Sequence, residues 1–271
     1  MNALELKDAM RSGKRVYGTM TVAPSPLWVS QIRRLNLDFV FIDTEHIPID
    51  RAQIAWMCQS YRAMNVAPLV RVTSPDPFQA TNLLDGGAVG IVVPYVETVE
   101  QVRVMRGAVK MRPLRGQFLQ NIVDGKSELT GDLKPYIEKH NREHLLILNI
   151  ESQPAIDALD EILEVSDIDA VLIGPHDLSC SLGIPEQYHH PKFEKAVYEI
   201  FRKARAKNIG AGVHFWAGLD QQVKWSQESE MNIIVHRADI LNFVESMSKE
   251  LQEIRTALGD EATSTDGSLN I

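Results

Sequence analysis

Eight short apolar runs, rich in β-branched residues, recur between helical patterns along the whole chain. They are "VYGTMTV" (16–22), "DFVFID" (38–43), "PLVRV" (68–72), "VGIVVPY" (89–95), "LLILNIE" (145–151), "AVLIG" (170–174), "GAGVHF" (210–215) and "NIIVH" (232–236). Their near-continuous apolar character suits the strands of a parallel sheet covered by helices. Between them, "PFQATNLLDGGA" runs out into glycines, "SQPAIDALDEILEV" opens with Ser and Pro, and "PKFEKAVYEIFRKARAKNIG" carries a helical apolar stripe that stops at Gly210. Eight alternations of strand and helix predict an α/β chain folded as a single (β/α)8 TIM barrel over residues 1–258. A doubly wound open sheet also alternates in this way, but no GxGxxG follows an early strand.

Two segments break the rhythm. Residues 96–144 hold about two helices and the irregular stretch "MRPLRGQFLQNIVDGKSELTGD", read as an enlarged loop after strand 4 that covers the barrel mouth. Residues 259–271 are small and polar and read as a flexible tail.

Composition narrows the partners. A net charge of −8 argues against a nucleic-acid face, which needs clustered Lys and Arg. The N-terminal stretch lacks the apolar run of a signal peptide, and no run reaches the 18 residues of a membrane span. Cys58 and Cys180 are the only cysteines, and neither sits in a zinc-type spacing. A cytoplasmic enzyme without nucleic-acid or membrane partners is the expectation.

In such a barrel the C-terminal strand ends face the active site. Those ends carry Asp43, Glu45 and His46 after strand 2, Arg71 on strand 3, Glu151 after strand 5 and Asp177 after strand 6. His214 lies on strand 7, with His236, Arg237 and Asp239 at the end of strand 8. Glu151 and Asp177 are hard oxygen donors on neighbouring strands, suited to Mg²⁺, Mn²⁺ or Co²⁺ with positions left open for a chelating 2-oxo acid. Helix capping by Ser152 or Asp177, with Glu151 solvated, is the plainer alternative.

Arg71 has the shape to hold a keto or enolate oxygen, or else pairs with a nearby carboxylate. His46 follows Asp43 at a spacing that lets the carboxylate orient the imidazole as a general base. Backbone N–H groups of His176 and Asp177 at a helix start can hold a carboxylate. No lysine ends a strand, which disfavours Schiff-base chemistry. In the 112–126 segment, Arg112, Arg115 and Lys126 gather beside Gln117, Gln120 and Asn121, as expected of a loop that reads an acidic or polyhydroxylated second substrate, or else is solvated or packs on another subunit.

In order along the chain, "DFVFIDTEHIPID", "PLVRV", "LLDGGAVGIVVPYVETVEQ", "PLRG", "LNIESQPAIDALDEIL" and "IGPHDLSCSLGIPEQYHHP" resemble the class II, metal-dependent pyruvate aldolases. This is the family of 2,4-dihydroxyhept-2-ene-1,7-dioate and 2-dehydro-3-deoxyglucarate aldolases. The resemblance implies a homo-oligomer, a hexamer or trimer of dimers, that cleaves a 4-hydroxy-2-oxo acid reversibly to pyruvate or a related 2-oxo acid and an aldehyde through a metal-stabilised enolate. It makes Glu151 and Asp177 the metal ligands, Arg71 the enolate-oxygen arginine, and His46 the catalytic histidine supported by Asp43, with Glu45 beside it. Asn149 stands where the family often has glutamine, which reshapes the substrate pocket. The "QFLQNIVDGK" segment is bulkier than the family loop. A Claisen-type condensing enzyme, an acyl-CoA lyase and a silent 2-oxo-acid-binding barrel stand as alternatives on the same scaffold.

Overall fold

The computed structural model describes residues 1–260; most of the expected tail, residues 261–271, lies outside the described residues. The strands are β1 (Val16–Thr21), β2 (Phe39–Asp43), β3 (Ala67–Arg71), β4 (Gly90–Val93), β5 (Leu145–Asn149), β6 (Ala170–Ile173), β7 (Gly210–Phe215) and β8 (Ile233–Ala238). All pair in parallel with their chain neighbours, and β8 pairs with β1 to close the barrel. The eight sequence runs each contain or nearly contain their strand, so the (β/α)8 reading holds.

Period-two alternation sorts each strand into two cores. Val40, Ile42, Val70, Leu146 and Leu148 face outward and pack under the surrounding helices. Phe39, Phe41, Leu69, Leu145, Ile147 and Leu172 face inward and fill the barrel. Helix Ala3–Ser12 sends Leu6, Ala9 and Met10 into that interior cluster from the end where the strands start. At the other end the inward rows turn polar. Asp43, Arg71, Asn149 and His214 each sit two residues beyond an interior position of their own strand.

The connection after β4 differs from expectation in its place and content. It holds three helices, Val99–Lys110, Gly116–Val123 and Leu133–Asn141. The first is the ordinary crossover helix, and its last residue reaches the start of β5, where Lys110 Nζ donates to the His144 carbonyl at 2.6 Å. Asn141 Nδ2 donates to the Arg112 carbonyl at 2.8 Å, so the two ends of the remaining connection meet near the start of β5. Helix Gly116–Val123 packs Leu119 and Val123 toward Gly107 of the crossover helix.

The last helix, Asp239–Leu258, leaves Ile240, Phe243, Met247, Leu251, Ile254 and Leu258 exposed at helical spacing. No helix among the described residues is long and apolar enough to cross a membrane.

Candidate active site at the barrel mouth

Register places Asp43 directly beside Arg71 on β2 and β3. The guanidinium grips the carboxylate as a fork, Nε to Oδ1 at 2.8 Å and Nη2 to Oδ2 at 2.7 Å. Its remaining nitrogen, Nη1, lies 3.1 Å from Glu45 Oε2. Burial pushes the Asp43 carboxyl up, but the Arg71 fork and the Glu45 N–H outweigh it and hold the pKa below the ordinary range. The same carboxylate accepts from the backbone N–H groups of Glu45 (3.0 Å) and His46 (3.4 Å). Asp43 thus fixes Arg71 and the turn that carries His46. The expected contact from Asp43 to the imidazole is not made. The carboxylate nearest the ring is Glu45, whose Oε2 lies 3.8 Å from His46 Nε2.

Glu151 extends the inward row of β5 two residues beyond Asn149. It is buried, accepting from Tyr95 N–H at 2.8 Å and from Asn149 Nδ2 at 3.1 Å. Burial drives its carboxyl up to about 7, against the Tyr95 N–H and with help from the negative charge of Asp177. Asp177 stands exposed in the first turn of helix Pro175–Ser181. Between the two lies Gly174. A Cβ there would sit 2.6 Å from Glu151 Oε2 and 3.5 Å from Asp177 Oδ2, so both carboxylates flank one open point.

The capping alternative is answered by the neighbours. Ser152 Oγ accepts from Ala155 N–H at 3.2 Å and caps its helix, while Gly174 occupies the N-cap ahead of Asp177. Neither Glu151 nor Asp177 is consumed as a cap. Among the described residues no cluster of three or more His, Cys, Asp or Glu could hold a metal. The donor set that fits a hard divalent ion is this pair, with its other positions open to water and substrate oxygens.

A cavity of about 440 Å³ opens above these groups and is lined by His46, Arg71, Asn149, His176 and Asp177 among others. Glu151 lies just beneath that lining, behind Asn149 and Gly174. Met20, Phe41, Leu172, His214, Trp216 and Leu241 line the cavity too, with the Arg71 guanidinium 5.5 Å from the Phe41 ring and Leu172 beside Asn149. His214 Nε2 meets the Arg237 carbonyl at 3.0 Å, and burial lowers its pKa to about 4, so the imidazole is neutral at pH 7.

Other candidates do not join the site. His236 Nδ1 is bonded to Gln222 at 2.8 Å, Arg237 pairs with Glu245, and Asp239 accepts from the backbone N–H groups of Val22, Ala23 and Ile240. Arg115 is exposed at the start of its helix and lines no part of the cavity. Arg112 pairs with Asp85, and Lys126 and Gln120 both bind Asp124 (2.7 and 2.6 Å). Within this chain no residue of the 112–126 segment lines the cavity.

Three site residues escaped the sequence reading. Tyr95 lies just past β4 with φ 55°, and the carboxylates of Glu45, Glu151 and Asp177 around its phenol, with burial, push it up to about 12. Trp216 lies just past β7, its ring 5.4 Å from that of His214. Glu186 Oε1 lies 3.5 Å from His176 Nδ1. The first two stand at strand C-terminal ends, so the rule that found His46 also reaches them.

Fold and site together define a (β/α)8 enzyme with acid–base and hard-oxygen groups at its mouth. The chain belongs to the HpcH/HpaI aldolase/citrate lyase family, whose pattern matches residues 20–235. It is 30% identical over 211 residues to the hydroxypyruvate/pyruvate aldolase of Sagittula stellata, covering 76% of this chain and 81% of that protein. Among solved structures, an HpcH/HpaI aldolase from Desulfitobacterium hafniense superposes with a TM-score of 0.79 at 26% identity, over 97% of this chain and 99% of that one. The citrate synthase SbnG gives the same TM-score at 28% identity, over 95% and 100% of the two chains. The protein is an aldolase-type carbon–carbon lyase, and its family is metal-dependent.

Proposed function

We propose that the enzyme cleaves a 4-hydroxy-2-oxo acid reversibly to pyruvate, or a closely related 2-oxo acid, and an aldehyde. The observation that carries this reading is the convergence, on one cavity, of an imidazole, a fixed guanidinium and two carboxylates flanking Gly174. Glu151 and Asp177 would hold Mg²⁺, Mn²⁺ or Co²⁺. When bound, the ion supplies Lewis acidity to the keto and carboxylate oxygens of the 2-oxo acid.

The chain's own residues do the rest. Arg71 lines the cavity with a guanidinium locked in place by Asp43, and so meets negative charge developing on the keto oxygen without reorganising. His46 takes the proton of the C4 hydroxyl as the C3–C4 bond breaks, leaving its electron pair in the enolate of the 2-oxo acid. Glu45, 3.8 Å from the ring, favours the imidazolium formed in that step. The N–H groups of His176 and Asp177 face the substrate carboxylate at the first turn of their helix. Tyr95 N–H and Asn149 hold the Glu151 carboxylate in its orientation.

We also assign the protein to homo-oligomers, hexamers by the family pattern, supported by the exposed apolar stripe from Ile240 to Leu258. A cytoplasmic location agrees with its two free cysteines, Cys58 and Cys180. The test of function is deuterium exchange into the pyruvate methyl group in D₂O with Mn²⁺, run beside aldol cleavage. Exchange and cleavage that both stop with EDTA and return with metal are expected. Full activity after exhaustive chelation defeats the metal assignment, and absence of both reactions with every 2-oxo acid defeats the aldolase reading.

A further inference from the structure

At the end of the barrel where the strands begin, a second hollow of about 280 Å³ opens beside the starts of β4 and β5. Its lining includes Arg62, Lys139, His140, Arg142, Glu143 and His144. Three parts of the chain bring these side chains together. Arg62 stands in the last turn of helix Arg51–Ala63, Lys139 and His140 in the last turn of helix Leu133–Asn141, and residues 142–144 in the turn that leads into β5. Leu145 N–H donates to the Val89 carbonyl at 2.8 Å, and Arg62 Nη1 reaches the Gly87 carbonyl at 3.5 Å. Both the turn and the helix end are thereby held against the start of β4.

Basic residues in a last turn complement the helix dipole, which accounts for Arg62, Lys139 and His140 taken singly. It does not account for their meeting Arg142 over one hollow. The one carboxylate in the lining is Glu143, 3.7 Å from Arg62 Nη2 and 3.8 Å from Arg142 Nη2. Both distances are longer than a hydrogen bond, so neither guanidinium is gripped as Arg71 is by Asp43. Lys139 is exposed and has no ion-pair partner among the described residues. Three cations against one carboxylate leave two positive charges uncompensated, in a chain whose net charge is −8. His144 feels the same field: burial first, then the charges of Arg112 and Lys110, push its pKa down to about 4. A dianion would neutralise the excess, and arginine forks match the oxygens of a phosphoryl group. Across Arg62 and Glu143 a further hollow of about 240 Å³ continues, lined by Asn2, Leu4 and Asn65 among others.

We propose that this hollow binds a phosphoryl dianion, either free phosphate or the phosphate end of a small phosphomonoester whose organic part lies in the adjoining hollow. Arg62 and Arg142 donate to the phosphate oxygens, Lys139 supplies a third positive charge, and Glu143 limits the affinity. The site is separate from the mouth. Its residues precede β3, β4 and β5, whereas Arg71, Glu151 and Asp177 stand at or beyond the C-terminal ends of their strands. It therefore does not depend on the aldolase reading.

Isothermal titration calorimetry of the Mg²⁺-loaded enzyme with inorganic phosphate and with glycerol 3-phosphate, at low ionic strength, tests the site. Saturable binding is expected. Arg142→Ala should weaken it by at least about tenfold, the scale of one charge-assisted hydrogen bond. Glu143→Gln, which removes the one carboxylate, should tighten it several-fold, a change that unfolding cannot imitate. Arg71→Ala, at the mouth, should leave this binding in place. Aldol cleavage without added anion should be unchanged in the Arg142→Ala and Glu143→Gln enzymes. Tighter binding of the ester than of phosphate assigns the site to phosphomonoesters, and equal or weaker binding assigns it to the free anion. Absence of saturable binding of either ligand overturns the proposal. So does binding that Arg142→Ala and Glu143→Gln both leave unmoved, or that Arg71→Ala abolishes, because the anion then sits elsewhere.

Discussion

Burial moves Glu151 far from its chemistry in water, and this residue makes two predictions. Its carboxyl titrates near 7 in the folded metal-free protein against an ordinary 4.5. Between those values the folded chain retains a proton that the unfolded chain has released. Stability of the metal-free protein therefore falls as pH rises from 4.5 to 7 and levels off above, by an amount on the order of 3 kcal/mol. Glu151→Gln removes the penalty. Urea titration at pH 8 should find the metal-free variant more stable than wild type, with the two converging near pH 4; equal midpoints at pH 8 would refute the raised pKa. Protons also compete with metal for this carboxylate, so Mn²⁺ affinity should weaken as pH drops below 7. The base and the arginine separate kinetically. His46→Ala should slow cleavage by roughly 10²–10⁴-fold while sparing pyruvate exchange relatively. Arg71→Lys should lower exchange itself by roughly 10²–10³-fold, because an ammonium cannot reproduce the fork to Asp43 and a third N–H toward substrate. Equal losses in both assays for His46→Ala would assign that imidazole to the enolate half.

At the scale of elements, the strand-to-helix junction at Gly174 holds the two carboxylates apart. With φ −85° and ψ 97°, alanine fits this backbone without strain, so Gly174→Ala tests space alone. Its methyl group would press on Glu151 Oε2, and Mn²⁺ affinity should fall by at least about tenfold, a loss typical of disturbed ligand support. Thermal unfolding of the metal-free variant should stay near wild type; unchanged metal affinity would remove Gly174 from the site. Elements also explain what was legible in the sequence. The strands were visible because burial on both faces demands apolar runs, and the polar ends of Asp43, Arg71 and Glu151 stood out against them. The contacts among those ends were not visible. Asp43 spends both oxygens on Arg71 because the β2–β3 register sets the two side by side, and register is not written in either strand alone. "VETVEQVRVMRGAVK" follows β4 directly and is the crossover helix, so its last turn returns the chain to the end where β5 begins.

Across the whole molecule the two ends of the barrel divide labour, and the far end carries its own buried charge. Asp169, just before β6, is wholly buried. Its Oδ1 lies 3.0 Å from Arg11 Nη2, and its Oδ2 pairs with Lys110 and accepts from Leu146 N–H at 2.9 Å. These contacts tie helix Ala3–Ser12, the crossover helix after β4 and the start of β5 to one carboxylate. Burial lowers Lys110 to about 8 even with this partner present, so the ammonium depends on Asp169 to remain charged. Asp169→Ala strands a buried cation and an orphaned N–H, which should cost about 3–5 kcal/mol of folding stability. It touches nothing at the mouth. Native Asp169→Ala enzyme, assayed well below its melting temperature, should therefore keep kcat and metal affinity near wild type while its urea midpoint drops. Lys110→Met, which removes the charge and keeps the apolar stem, should be milder than Asp169→Ala because no ammonium is left unpaired. A large fall in kcat at full folding would instead show that the two ends of the barrel are coupled, since Asp169 reaches the site only through the length of β5 and β6.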